Sequence, residues 1–272
     1  MIYLYTPSPA SLGEDTFWTW FHREFPESTF DTPQVIGDND IALVNCARNQ
    51  PPVGGKSVGL VFELYPEMKR FLHTREYDSQ IEYMRNTAKK CKLIAATSPV
   101  VVDDFADCGP VKVIPLGVNV DLFKILDNKF DLRSKYKITG KNVIFWSGNE
   151  HPMKGYDLLL QYNRTHPGIH WVLVWKDRIP SRQLPNASVF CKIPQTTIVE
   201  LMNISDHFLC TNKLRPYFLV EWEAMACNLS PIIATTTPRE FYPGKNPRED
   251  IFRLGWDRAA LKKTWEQILT NV

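Results

Sequence analysis

The stretch LCTNKLRPYFLVEWEAMACNLSPIIATT, residues 209–236, decides the fold that we predict for this chain. An apolar strand ends near Cys210 and is followed by a polar loop. A helix is predicted over residues 217–227, and residues 231–234 form a second short strand. Strand, helix and strand in this order predict a βαβ unit, which belongs to a parallel sheet.

The loop between the first strand and the helix is predicted to bind an anion. In an open parallel sheet, ligands lie beyond the carboxyl ends of the strands, where a helix N-terminus presents unpaired N–H groups. Residues 212–216 and the backbone amides of Phe218 and Leu219 occupy that place. Glu223 shares a helix face with Leu219 and Val220, so its carboxylate needs a partner. That partner is either a neighbouring lysine or arginine, or the vicinal hydroxyls of a ligand.

The segment EAMACNLSPII, residues 223–233, resembles the signature of retaining GT-B glycosyltransferases, above all glycosyltransferase family 4. In that family two glutamates flank seven residues. Glu223 matches the second glutamate, which holds the nucleotide ribose, whereas Arg215 stands where the family has the first, which contacts the donor sugar. The resemblance implies an α/β GT-B fold, in which two Rossmann-like domains with parallel sheets face a central cleft.

Composition and cysteine usage limit the class of protein. The 272 residues are 44% hydrophobic, which suffices for one large or two modest cores. The net charge of +2 does not indicate binding to nucleic acid. The start MIYLYTPSPA predicts neither a signal peptide nor a transmembrane helix. The six cysteines form no CxxC pair, which is typical of reduced core residues in a cytoplasmic protein.

A domain boundary is predicted near residue 117. Residues 111–123 form an apolar strand that breaks at Pro-Leu-Gly-Val-Asn and resembles the interdomain connector of the family. We therefore predict an acceptor-side domain over residues 1–117 and a donor-side domain over residues 118–272. The amphipathic helix at residues 256–272 is predicted to cross back to the first domain.

Two residues of the first domain are candidates for the site. A strand, a turn-rich loop and a helix at residues 2–24 open a Rossmann-like half, and Gly13 permits close backbone approach on the acceptor side. Glu63 follows a buried strand at the position where the family often carries a histidine close to the donor sugar. Glu63 is thus a candidate catalytic residue, with a salt-bridged structural role as the alternative.

Two further motifs of this domain have a functional and a structural interpretation. Asp38 and Asp40 could chelate a metal-bound diphosphate, but acidic triplets are common in turns, and we predict that no metal or other cofactor is required. Lys89, Lys90 and Lys92 suit the last turn of a helix predicted at residues 77–91. A peripheral membrane contact is their alternative role.

The second domain opens with a strand, a loop and a helix at residues 142–160. Gly148, Lys154 and Gly155 resemble the family's Gly-Arg-loop-Lys-Gly element, whose two cations neutralise the donor diphosphate. Asn149 stands at the position of the arginine. Since the expected glutamate is Arg215, we infer that one positive charge has moved from one wall of the diphosphate site to the other.

The resemblance implies transfer of a sugar from a nucleoside diphosphate-sugar to a hydroxyl of a glycan or other acceptor, with retained configuration. Lys154, Arg215 and the amides at residues 218–219 would stabilise the leaving diphosphate. The base would lie near Ile193. Asp177 either accepts from guanine, which favours GDP-mannose over a UDP-sugar such as UDP-glucose, or pairs with a surface cation. The rival interpretations are an inactive nucleotide-sugar-binding protein and a GT-B-type sugar-nucleotide epimerase.

Overall fold

The computed structural model describes residues 1–6, 17–62, 65–176, 178–179, 184–214, 219–235 and 244–272. These residues divide into two compact units. The first comprises Met1–Leu116 and Ala259–Val272, and the second comprises Gly117–Arg258. Each unit has its own parallel sheet and connecting helices, so the predicted α/β class with two Rossmann-like domains is confirmed.

The first unit is built on a six-stranded sheet. Its strands are β1 (Ile2–Tyr5), β2 (Ser28–Thr29), β3 (Ile41–Asn45), β4 (Lys56–Val61), β5 (Leu93–Ala96) and β6 (Val111–Val113). They lie in the order β2-β1-β3-β4-β5-β6, and every neighbouring pair is parallel. The central strands β3 and β4 are buried except at their first residues, as parallel strands covered on both faces require.

Four helices of the first unit connect these strands within the part that the structure describes. They are α1 (Phe17–Glu24), α2 (Tyr65–Leu72), α3 (Asp78–Ala88) and α4 (Val102–Phe105). Trp18, Trp20 and Phe21 of α1 are buried, so these aromatic residues form core. Val35 and Val53 form a single parallel bridge outside the strands of this sheet, and both side chains are exposed.

Residues of the predicted metal and membrane motifs make hydrogen bonds to other residues of the first unit. The Asp40 carboxylate accepts a hydrogen bond from the Gly37 N–H at 3.0 Å and so closes a turn. The Lys90 ammonium donates to the Gln50 side-chain oxygen at 2.7 Å. No helix in the described part of the chain is both long and apolar enough to span a bilayer.

The second unit is built on a five-stranded sheet. Its strands are β7 (Val143–Gly148), β8 (His170–Trp175), β9 (Ala187–Cys191), β10 (His207–Cys210) and β11 (Ser230–Ile233). The order is β11-β10-β7-β8-β9, again parallel throughout. The chain runs from β7 outward to β9 and then returns to β10 on the other side of β7. The strand order therefore reverses between β7 and β10, which is where parallel sheets bind ligands.

The described helices of the second unit are α5 (Lys129–Lys135), α6 (Tyr156–Thr165), α7 (Gln195–Ile204), α8 (Leu219–Ala226) and α9 (Pro247–Arg253). Asp206, just before β10, connects the helix α5 to the strand β7. Its carboxylate accepts from the Lys129 ammonium at 2.8 Å, the Arg133 guanidinium at 2.9 Å and the Val143 N–H at 2.9 Å. This carboxylate therefore fixes α5 to the first residue of β7.

The last helix, α10 (Arg258–Asn271), completes the core of the first unit. The buried Trp265 ring lies 5.5 Å from the Phe21 ring in an edge contact. The Lys262 ammonium pairs with the Glu24 carboxylate at 3.2 Å. The C-terminal segment therefore belongs by its contacts to the strands at the other end of the sequence.

Candidate functional site

A cavity of about 410 Å³ lies at the carboxyl ends of β7, β8 and β9 in the second unit. The start of α8, which follows β10, forms another part of its wall. The cavity thus lies beside the point where the strand order reverses. Residues that the sequence predicted for donor binding line it together: Gly148, Asn149, Lys154, Ile193 and Leu219.

Lys154 is held in place by hydrogen bonds between two loops. The loop after β7 ends in a 3-10 turn, Pro152–Lys154, and then in Gly155 with φ of 67°. The Thr211 hydroxyl, in the loop after β10, donates to the Lys154 carbonyl at 2.6 Å and accepts from the Trp146 indole N–H at 2.8 Å. A Cβ on Gly155 would lie 2.1 Å from the Thr211 carbonyl oxygen. Only glycine fits this contact, so the Lys-Gly pair has a structural cause.

Asn149 shapes the same loop. Its side-chain oxygen accepts from the His151 N–H at 3.1 Å, and the His151 Nδ1 accepts from the Met153 N–H at 3.3 Å. These bonds are typical of an Asx turn followed by a capped 3-10 turn. The asparagine in the position of the family's arginine therefore orders the backbone that carries Lys154.

The cavity is basic on one part of its wall and apolar on another. Lys154, Lys176 and Lys192 line it, and no carboxylate is among the described residues that do. The apolar part includes Val174 and Ile193. A site of this kind suits a ligand that combines negative charge with a less polar ring system.

A buried carboxylate that was not predicted from the sequence lies on α8, whose first residues line the cavity. Glu221 is 2% exposed and accepts from the Asn212 amide at 2.5 Å and from the Cys210 thiol at 3.0 Å. Burial lowers the pKa of the Lys154 ammonium, the Glu221 carboxylate raises that pKa, and Lys176 lowers it. A second glutamate in an apolar helix is the signal that the sequence carries for Glu221.

Glu223 is half-buried on α8 and is not among the described residues that line the cavity. Helical periodicity places it about 200° around the helix axis from Glu221. Burial raises the pKa of the nearby Cys227 thiol to about 12, and the Glu223 carboxylate contributes in the same direction. The ribose contact of Glu223 stays a prediction.

Several predicted site residues lie outside the described residues. They are Gly13, Glu63, Asp177, Arg215 and Phe218. Their assigned roles in acceptor binding, catalysis, base recognition and diphosphate binding therefore stay predictions.

Comparison with known proteins agrees with the fold. No protein-family model and no curated protein matches the sequence. Among solved structures, the chain is similar to sucrose-phosphate synthase from Thermosynechococcus elongatus, with a TM-score of 0.68 and 15% identity over 85% of this chain and 73% of that one. It is also similar to HepE from Anabaena in complex with UDP-glucose, with a TM-score of 0.63 and 16% identity over 80% and 73% of the two chains.

A third similar structure is the catalytic domain of starch synthase IV from Arabidopsis thaliana bound to ADP and acarbose. Its TM-score is 0.56, with 12% identity over 85% of this chain and 72% of that one. These structures are GT-B glycosyltransferases, so the predicted GT-B type of fold is confirmed. Membership of glycosyltransferase family 4 stays a prediction.

Proposed function

We propose that this chain is a glycosyltransferase that takes a nucleoside diphosphate-sugar as donor and transfers the sugar to a hydroxyl acceptor. The observation that carries the proposal is the basic cavity at the carboxyl edge of the β7–β8–β9 strands. It lies in a unit of a GT-B-type fold, and it joins residues predicted independently for donor binding. Retention of configuration and independence of metal follow from the resemblance of residues 223–233 to the family signature.

The two parts of the cavity wall have different roles in this proposal. Val174, Ile193 and Ile198 supply an apolar surface for the nucleoside. Lys154 and Lys192 supply the positive charge for the diphosphate. As the bond between the sugar C1 and the phosphate oxygen breaks, negative charge develops on the leaving diphosphate. Fixed cations in a partly desolvated site stabilise that charge, and this is the main catalytic effect we assign to the described residues.

For the donor, UDP-glucose is the first compound to test, because HepE was solved in complex with it. The starch synthase was bound to ADP, so the base is not set by this type of fold. GDP-mannose, which the sequence favoured through Asp177, is the second compound to test. Calorimetry with UDP, ADP and GDP, each with and without EDTA, ranks the bases and tests metal independence. Loss of binding on addition of EDTA would return Asp38 and Asp40 to consideration.

Turnover is tested by release of the nucleoside diphosphate from the sugar nucleotide, since slow hydrolysis needs no acceptor. We expect Lys154→Ala to lose diphosphate binding and hydrolysis, whereas Lys141→Ala, an exposed lysine outside the cavity, retains both. Binding without hydrolysis or transfer across a panel of acceptors would favour the inactive binding protein. Conversion of the donor into another sugar nucleotide would favour the epimerase. A folded protein that binds no nucleoside diphosphate would refute the proposal.

A further inference from the structure

Glu221 is a buried carboxylate that the proposed transfer reaction leaves without a role. It lies on the inner face of α8 and is 2% exposed. Burying an ionised carboxylate is unfavourable unless hydrogen bonds and a positive charge compensate for the lost water. The surroundings of Glu221 should therefore contain a cation.

Two of its hydrogen bonds come from neutral groups. The Oε1 atom of Glu221 accepts from the Asn212 amide at 2.5 Å and from the Cys210 thiol at 3.0 Å. The neighbouring Lys213 ammonium pairs with the Asp157 carboxylate at 2.7 Å. Lys154, in the cavity wall, is a cation whose charge interacts with Glu221.

Hydrogen bonds of the loop after β10 also connect Glu221 to the loop that carries Lys154. Three consecutive residues of the loop after β10 alternate between the two partners. The Thr211 hydroxyl donates to the Lys154 carbonyl at 2.6 Å, the Asn212 amide donates to Glu221, and the Lys213 N–H donates to the Met153 carbonyl at 2.9 Å. Glu221 therefore binds the middle residue of a segment whose two flanking residues bind the turn that contains Lys154.

The other lysines of the cavity wall place positive charge near Lys154, which opposes the effect of Glu221. Lys176, after β8, disfavours the charged form of Lys154. Lys192 adds a further positive charge to the cavity wall. Burial also disfavours the charged form of Lys154, and the Glu221 carboxylate opposes these effects.

We propose that Glu221 is a positioning residue that keeps the Lys154 ammonium charged and fixes the loop that carries it. An arriving anion then meets a cation that is already charged and held in place, which lowers the cost of organising the site on binding. The identity of the anion rests on the proposed function. The effect of Glu221 on Lys154 does not depend on the proposed function.

The first test needs no ligand. Lysines of the full chain are ¹³C-methylated, and their signals are followed by NMR as the pH is raised; Lys154→Arg identifies the signal of Lys154. In Glu221→Gln we expect the Lys154 titration to move to lower pH, while Glu249→Gln, an exposed glutamate on α9, leaves it unchanged. An unmoved Lys154 titration in Glu221→Gln would overturn the proposal.

The second test follows UDP affinity by calorimetry between about pH 7 and about pH 9. We expect Glu221→Gln to lose several-fold more affinity across this range than the unmodified protein does, since without the Glu221 charge the Lys154 ammonium loses its proton at lower pH. In the double variant Lys154→Arg/Glu221→Gln the added pH dependence should vanish, because a guanidinium stays charged. An equal loss at every pH would mean that Glu221 has a merely structural role. Absence of UDP binding in every variant, with the NMR shift intact, would refute the proposed function and leave this inference standing.

Glu221→Gln could also prevent folding. If it does so by removing the counter-ion of Lys154, the double variant Lys154→Met/Glu221→Gln should fold again, because the glutamine keeps an acceptor for Asn212 and no charge is left buried. Thermal unfolding by circular dichroism measures this recovery. A double variant that stays unfolded would contradict the proposed pairing.

Discussion

At the scale of single residues, the candidate site depends on Gly155. Its φ of 67° lies in the left-handed region, and an added Cβ would meet the Thr211 carbonyl oxygen at 2.1 Å. A left-handed L-residue costs about 1–2 kcal/mol, and here the backbone of one loop must also shift. We expect Gly155→Ala to lower the free energy of unfolding by more than that amount and to weaken UDP binding. Thermal unfolding and calorimetry measure the two effects.

Gly168 provides the matched control. It also has a positive φ, 90°, but an added Cβ meets nothing within 4 Å. Gly168→Ala should therefore show the conformational cost without the clash, and should leave UDP binding intact. If the two variants lost the same stability, the contact with Thr211 would not be the cause.

The pH dependence of ligand binding is also decided by one residue. Burial lowers the pKa of Lys154, so its ammonium loses its proton at lower pH than an exposed lysine does. An anion binds the protonated form, which means that affinity is present below the lowered pKa and falls as the pH rises through it. We expect UDP affinity to decline in the alkaline range, and calorimetry at several pH values measures it. In Lys154→Arg the decline should be absent, and a persistent decline would assign it to another group.

The site residues differed in how far the sequence could reveal them. Gly148 ends the strand β7, and Lys154 and Ile193 lie in loops that follow strands; the carboxyl ends of parallel strands meet at one edge of the sheet. Glu221 was not predicted because its surroundings include Asn212 and a lysine from another loop. Helical periodicity does not show which distant segments lie close together.

At the scale of elements, strands formed by continuous apolar runs were easier to predict from the sequence than short helices. The apolar run HWVLVW, for example, forms the whole of β8, and five of its six residues are buried. The helices α2 and α5, of eight and seven residues, were not predicted. Short helices depend on tertiary contacts, such as the ion pair of Arg70 with Asp104 at 2.7 Å, which the local sequence does not show.

The anchoring of α5 to the second sheet gives a prediction for Asp206. Burial acts to raise the pKa of this carboxyl, but the hydrogen bonds and charges of Lys129 and Arg133 outweigh it and lower the pKa. The stabilisation is therefore present above the pKa of an unfolded aspartate and is lost as the pH falls through the lowered folded value. We expect Asp206→Asn to reduce the free energy of unfolding at neutral pH by about 1.5–3 kcal/mol, as measured by urea titration.

Asp131→Asn is the control for this prediction, since Asp131 is exposed on the same helix. It should change stability little at any pH. The difference between the Asp206 variant and the unmodified protein should shrink as the pH is lowered toward about 3. A difference that stayed constant with pH would show that the charge of Asp206 is not what anchors α5.

At the scale of the whole molecule, the two units should respond separately to damage in their cores. Trp265 is buried in the first unit against Phe21, and Trp171 is buried in the second. Replacing a buried tryptophan with alanine costs about 3–5 kcal/mol. We expect Trp265→Ala to speed amide exchange in β1, β3 and β4 while β7 and β8 stay protected, as measured by hydrogen exchange with mass spectrometry.

Trp171→Ala should give the reverse pattern and abolish UDP binding, because β8 forms part of the cavity wall. Equal loss of protection in both sheets from either variant would mean that the two units unfold as one. The class of fold was predictable at this scale because a short signature and the parallel βαβ pattern constrain it. The acceptor was not, since Gly13, which was predicted on the acceptor side, lies outside the described residues.

The return of α10 to the first unit has a consequence for the order in which the protein matures on the ribosome. The sequence of the second unit, Gly117–Arg258, is inserted between the two segments of the first, Met1–Leu116 and Ala259–Val272. During synthesis the second unit has all of its residues before Trp265 emerges to complete the aromatic core around Phe21. Domains usually mature from the N-terminus onward. Here we expect the first unit to finish folding last, because its core needs Trp265 of α10, which is synthesised after the whole of the second unit.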